Sequence, residues 1–244
     1  LQPLDRIPLL AFFTGVVVLA LLAIEGGYKL GKNRRKSSNN EDESPVGSTI
    51  SSTLALLAFM LAFTFGMAAS RFDDRRAAVV EEANAIGTAY LRADLLEDPL
   101  KSNVKDTLHK YLLLRINGLS QPSLLGRTIS QSEALQTRLW QEATEVGQSY
   151  PNSPVAALFI DSINTVIDLH TKRITANFRA RVPESIWDVL FLVAALSMAG
   201  MGYYFGVTDN RSWTANIVLV LAFSAVMLLV VDLDRPWEGS LKVN

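Results

Sequence analysis

Cysteine is missing from the chain altogether, which removes disulfides, zinc thiolate centres and thiol catalysis. Histidine is nearly missing too. His109 and His170 are the only two, far apart and without carboxylates at ligand spacing, so each is more simply a core or surface side chain than a metal ligand. Neither sign of charge is in excess: the formal net charge is −1, which gives no reason to expect nucleic acid as a partner. Nucleotide-binding glycine loops, nucleophile elbows, metalloprotease motifs and calcium-loop patterns are all lacking. Asp73-Asp74 and Glu81-Glu82 are therefore expected to be salt-bridge partners. No catalytic residue, metal site or cofactor is expected, and an enzyme is the least expected class. Strand signals are lacking as well.

What the chain has is long apolar runs. At 244 residues and 49% hydrophobic, with a mean hydropathy of +0.22, it is too apolar for an ordinary soluble domain and too short for a large transporter. Four runs stand out: Ile7 to Ile24, Ile50 to Ala69, Ile186 to Phe205 and Ala215 to Val231. About twenty residues at the helical rise cover the roughly 30 Å hydrocarbon layer, so each is expected to span a bilayer. The middle of each lacks Asp, Glu, Lys, Arg and His, the groups that pumps and ion-coupled transporters use as relays. The first run resembles a signal peptide in its apolar centre, but its basic residues follow it and no small-residue cleavage site closes it. A retained helix is expected.

The second run is the most structured. A ladder at four-residue spacing carries Ala55, Phe59, Phe63, Met67, Arg71 and Arg75, while Ala58, Ala62, Gly66 and Ala69 form an adjacent small stripe. Small stripes let helices approach closely in lipid, so this stripe is the expected packing surface between subunits. The plainer reading of the Phe/Met ladder is a lipid-facing or core stripe.

Between the second and third runs lie more than a hundred residues, Ser70 to Arg181, patterned as helix throughout. Val79, Val80, Ala83, Ile86, Tyr90 and Leu91 predict that the second helix continues out of the membrane to about Leu96. Asp98-Pro99 is expected to stop it and start another, with Val104, Leu108, Tyr111, Leu112 and Ile116 facing inward up to Gly118. Ser130-Gln131-Ser132-Glu133 has capping-box spacing and predicts a third start, burying Leu135, Leu139, Ala143 and Val146. A fourth helix is expected from Ser153-Pro154 to before Pro183. Four such helices can bury one core. Gly31–Gly47, polar and changing sign from KNRRK to EDE, is expected to be a mobile loop. KNRRK is more simply a topogenic charge cluster than a phosphate or headgroup site. Trp187, Tyr203, Tyr204, Trp213 and Trp237 are expected at the headgroup layer.

The expected fold is an all-α membrane protein with four transmembrane helices and a four-helix soluble insertion between the second and third spans. Its parts are 1–69, 70–182, 183–233 and a tail, 234–244. An even number of spans places both termini and the insertion on one side, and basic residues near the membrane number ten on that side against six on the other. This favours a cytoplasmic insertion. The basic cluster after the first helix points the other way.

AFMLAFTFGMAASRFDD resembles the second transmembrane helix of bestrophins, and VDLDRPWEG is similar to the acidic, Pro-aromatic-Gly segment after their last span. More closely, the whole chain resembles a group of bacterial bestrophin-like membrane proteins of undetermined function, in which SRFDDRR, EEANAIGTAYLRADLL and DRPWEG recur. The resemblance implies a homo-oligomer in the bilayer of a bacterial inner membrane, pentameric as in bestrophins, with the second span lining a central pore for small inorganic ions. Phe63, Phe59 and Ala55 then occupy the hydrophobic neck, with Met67 on the same ladder. Ala55 departs from the bulky residue usual there. Arg71 and Arg75 would extend the ladder as a positive vestibule ring favouring anions, unless they pair with Asp73, Asp74 or acids of a neighbouring subunit. Two expectations stand side by side: an oligomeric ion channel with a hydrophobic gate, and a membrane-anchored sensor or scaffold whose helical domain binds a ligand or partner.

Overall fold

The computed structural model describes residues 7–37, 43–118, 125–178, 181–209 and 211–235. Every regular element among them is helical: α1 (Leu9–Ser37), α2 (Glu43–Arg92), α3 (Leu100–Gly118), α4 (Leu125–Ser149), α5 (Pro154–Phe178), α6 (Glu184–Thr208) and α7 (Trp213–Asp234), with one 3-10 turn, Ala93–Leu95, after α2. Four of them, α1, α2, α6 and α7, are long and apolar enough to cross a membrane. The described residues group into two compact units, 7–72 with 181–235 and 73–178, and α2 contributes to both.

Helix α2 is 50 residues long, about 75 Å at the helical rise. Pro45 lies in its first turn, where a missing N–H costs nothing, and the next proline is Pro99. Thr53 and Thr64 turn their hydroxyls back to the carbonyls of Ile50 and Met60, which removes the cost of an unsatisfied hydroxyl at these depths.

In the first unit α1 and α6 run against each other through glycine. Gly27-x-x-x-Gly31 on α1 faces Gly202-x-x-x-Gly206 on α6, and a Cβ at any of the four would collide with backbone of the opposite helix. Such spacing lets two helix backbones touch in lipid, where packing rather than water expulsion holds helices together. Around this contact Phe12, Val16, Ile24, Leu190, Met198, Val220 and Met227 form the buried core, with Leu57 and Leu61 of α2.

Two polar clasps close the unit's ends. Asp234, at the end of α7, accepts from Arg181 at 2.9 Å and from the Val182 N–H at 3.0 Å, and Arg235 donates to the Ile7 carbonyl. At the other end Arg211 pairs with Glu25 at 2.6 Å and lies over the rings of Tyr28 and Trp213. Asp209, in the left-handed region at φ 56°, ends α6, and Ser212 caps α7 by accepting from the Ala215 N–H.

The second unit is built from the outer part of α2 with α3, α4 and α5. Its core divides lengthwise. At the end farthest along α2, Ala89, Ala93, Leu96, Val104, Leu108, Leu139, Val146, Phe159 and Ile163 are packed together, interrupted by a Thr107–Glu142 hydrogen bond. At the end where α2 enters and α5 leaves, the buried side chains are Glu82, Tyr111, Arg115, Thr128, Ser132, Gln136 and His170.

Several sequence expectations are corrected here. The expected loop Gly31–Gly47 is largely helix: α1 runs on to Ser37 and α2 begins at Glu43, because nothing in GKNRRKS or ESPVGS breaks a helix, Pro45 falling in a first turn. Ser130–Glu133 is not a helix start, since α4 begins at Leu125 and Ser132 bonds back to the Thr128 carbonyl inside the helix. Ser153 does cap α5, accepting from the Ala156 N–H. On α2 the inward face carries Ala78, Glu82, Ala85, Ile86 and Ala89, while Val80, Tyr90 and Leu91 are exposed. Trp187 lies in the core rather than on the surface, its ring near Phe191. Trp237 and most of the DRPWEG block lie outside the described residues.

Candidate functional site

The membrane half of α2 has two contrasting faces. Leu57, Leu61, Thr64 and Ala68 are buried against the rest of the unit. On the opposite side Phe59 is 70% and Phe63 60% exposed, and Ala55, Ala58, Ala62 and Gly66 are exposed with them. A Cβ on Gly66 would meet nothing within 4 Å. Met67, Ala69 and Arg71 are half-buried at the edge of this face. The aromatic ladder and the small stripe thus share one side of the helix that the described residues leave uncovered. In lipid, a face alternating Phe with Ala and Gly fits the close approach of another helix better than fluid acyl chains.

Arg75 departs from the ladder. It is only 2% exposed, so within this chain the expected vestibule position is occupied by a buried guanidinium, and Arg71 alone keeps part of its surface. The reason is helical phase: Arg75 continues the inward line of Leu61, Thr64 and Ala68 toward Ala78 and Glu82, at three- and four-residue steps.

Sequence reasoning missed a second site entirely, the polar core of the helical unit. Three helices, α3, α4 and α5, bring side chains to Glu82 of α2, or to the tyrosine that binds it. Tyr111 of α3 donates its hydroxyl to Glu82 Oε1 at 2.8 Å. Arg115, one turn on, lies 2.9 Å from the same oxygen through Nε and donates from Nη2 to Oε2 at 3.2 Å. Arg173 of α5 also donates to Oε2. Gln136 of α4 donates to the Tyr111 oxygen at 3.3 Å, and His170 of α5 has Nδ1 3.1 Å from it. Glu82 is 1% exposed. A carboxylate at such depth is tolerated only when paired and fully hydrogen-bonded, as here.

The ionisation states follow from this packing. Burial, with the Glu82 charge next to it, pushes the Tyr111 phenol well above the usual tyrosine value, so it stays a donor. His170 is pushed down to about 4, first by burial and then by the Arg115 charge, so the ring is neutral near pH 7. Because the Tyr111 proton points at Glu82, the Tyr111 oxygen accepts from both Gln136 and His170, which assigns the His170 proton to Nδ1. Glu81, beside Glu82 in sequence, pairs at the surface with Lys172 at 2.6 Å. Both glutamates are thus salt-bridge partners, as expected.

One further cavity, of about 700 Å³, lies in the membrane unit between α1, α6 and α7, lined by Val16, Ala20, Phe191, Met198 and Phe223. Its lining residues are apolar, and it offers no chemistry. Among the described residues no group of three or more His, Asp or Glu side chains converges as metal ligands.

A membrane-capable all-α protein with one uncovered aromatic-and-small helical face and a charged, hydrogen-bonded bundle core is the class these features define. The family model described as Bestrophin-like domain matches residues 9–244, and the chain belongs to that bestrophin-like family. Comparison with curated proteins and with solved structures finds no match.

Proposed function

We propose that the protein is a homo-oligomeric ion channel, a ring of identical subunits in a bacterial inner membrane, with the uncovered face of α2 turned to a central pore. The supporting observation is that Phe59 and Phe63 project from a side of α2 that the described residues do not cover, in a member of the bestrophin-like family. In a symmetric ring each becomes a belt of identical rings, and two aromatic belts one turn apart make a dry segment that repels ions until it widens. Ala55 and Met67 flank that segment. Ala58, Ala62, Gly66 and Ala69 supply the close contact between neighbouring copies. Five subunits is the number the family likeness favours.

On this reading no enzymatic step is involved, and the helical unit and both termini face the cytoplasm. A permeant anion is favoured by Arg71 at the pore's end. The buried polar core supports a second reading, a membrane-anchored sensor, since a charged core of this kind suits a ligand-binding domain.

The deciding experiment measures oligomer mass and liposome ion flux together, for wild type and for Phe59→Ala/Phe63→Ala. A ring of unchanged mass with increased flux is the expected result. A wild type that remains monomeric in mild detergent and in lipid would remove the channel reading.

A further inference from the structure

The charges in the polar core do not cancel. Glu82 supplies one negative charge, while Arg115 and Arg173 supply two positive charges against it, and His170 is neutral. Donors are in excess too. Glu82 Oε1 already accepts from Tyr111, and Oε2 from both Arg115 and Arg173, yet Arg115 Nη1 and Arg173 Nε are buried without a hydrogen-bond partner among the described residues. A buried, unanswered guanidinium N–H is costly, and net positive charge in a medium of low dielectric is costlier. One occupant relieves both.

We propose that the polar core of the helical unit binds one small inorganic anion of halide size, held by the unpartnered N–H groups of Arg115 and Arg173. Size is set by the surroundings: Tyr111, Gln136 and His170, which close around Glu82 and its arginines, are themselves buried, so the site favours a single-atom ion over a phosphate ester or a carboxylic acid of any length. A water molecule would answer the donors but leave the charge. An anion answers both, and guanidinium groups are weakly hydrated donors suited to desolvated anions.

The anion also changes the histidine. Groups facing His170 are Glu82 from α2, Tyr111 and Arg115 from α3, and its own neighbour Arg173 on α5; α4 contributes the uncharged Gln136. Burial is the larger cause of the ring's neutrality, but an anion beside Arg115 and Arg173 offsets the repulsion those two charges add, so Nε2 takes up a proton more readily when the site is filled. Anion affinity therefore rises as pH falls from 7 towards 5. The site does not depend on whether the spans conduct.

The test uses the full chain in detergent. Thermal unfolding is followed while chloride replaces gluconate at constant ionic strength, at pH 7 and pH 5. A saturable rise in midpoint, on the order of 5 °C at a hundredfold excess over the dissociation constant, larger at pH 5 and strongly reduced in Arg173→Gln, is expected. Arg173 is the more exposed of the two arginines, and Tyr111 and Arg115 still serve Glu82 without it. An equal response to gluconate, or a full chloride response in Arg173→Gln, would overturn the proposal. For a readout that needs no variant, crystals of wild type soaked in bromide should show an anomalous peak in contact with Arg115 and Arg173. A site holding water only would overturn it equally.

Discussion

Gly202 of α6 sits so close to Ile24 of α1 that a single methyl group on it would collide with the Ile24 carbonyl oxygen. The atoms in the way are backbone atoms in the middle of a helix, which cannot swing aside as a side chain would. Gly202→Ala is therefore expected to push α1 and α6 apart and destabilise the fold by about 3 kcal/mol, at the upper end of the usual overpacking range. Thermal unfolding in detergent measures this. A stability unchanged within 0.5 kcal/mol, the range of an ordinary surface substitution, would show that the helices do not meet at Gly202.

Gly66 is the opposite case, a glycine whose Cβ direction is empty. Within one chain Gly66→Ala should be neutral or gain up to about 1 kcal/mol from helix propensity. Gly66→Leu should leave the monomer folded but weaken the ring. Oligomer mass in mild detergent, read beside circular dichroism, separates the two effects, and a Gly66→Leu variant of undiminished mass would place the subunit contact elsewhere.

Tyr111 holds Glu82 and is held in turn by His170 and Gln136. Tyr111→Phe keeps the ring packing and removes one donor from a buried carboxylate, so a loss of about 1–3 kcal/mol is expected. Chemical unfolding of the solubilised protein would give the value. Because Gln136 also loses its acceptor, Tyr111→Phe and Gln136→Ala should couple rather than add.

Stability should also depend on pH through His170. Its folded value, about 4, lies below the usual 6.5, so the unfolded chain takes the proton first. The stabilising contribution is then complete above about pH 6.5 and is lost as pH falls through 4, by about 3 kcal/mol at most. Measured in gluconate buffer, His170→Asn should flatten this part of the curve. A wild-type curve already flat between pH 6.5 and 4 would mean that the ring is not held neutral.

Contiguity decided what could be foreseen. The four apolar runs are local signals longer than any competing explanation, and α1, α2, α6 and α7 cover them. Ser153 could be recognised as a cap because its partner, the Ala156 N–H, is three residues away. Facing was harder. On the outer part of α2 the core-facing residues are alanines and a glutamate, while Val80 and Leu91 point outward, so hydrophobicity alone indicated the wrong side. The polar core was out of reach, because Glu82, Tyr111 and His170 stand 29 and 59 residues apart in partner pairs and only the turns between helices bring them together. The glycine repeats at 27 and 31 and at 202 and 206 were passed over, although small-x-x-x-small spacing in two spans is a signal for close crossing; that these two spans meet is seen only in the fold.

Glu82 has one more consequence, for register. Aliphatic side chains are interchangeable partners, so a bundle joined only by Leu and Val can settle with one helix a turn out of step at modest cost. A buried carboxylate admits no such substitution. Sliding α3 or α5 by one turn, about 5.4 Å, would carry Tyr111 and Arg115, or Arg173, out of reach and strand a charge in the interior. The apolar end of the bundle supplies cohesion, and the single glutamate at the other end acts as a key that only one alignment of the helices can turn.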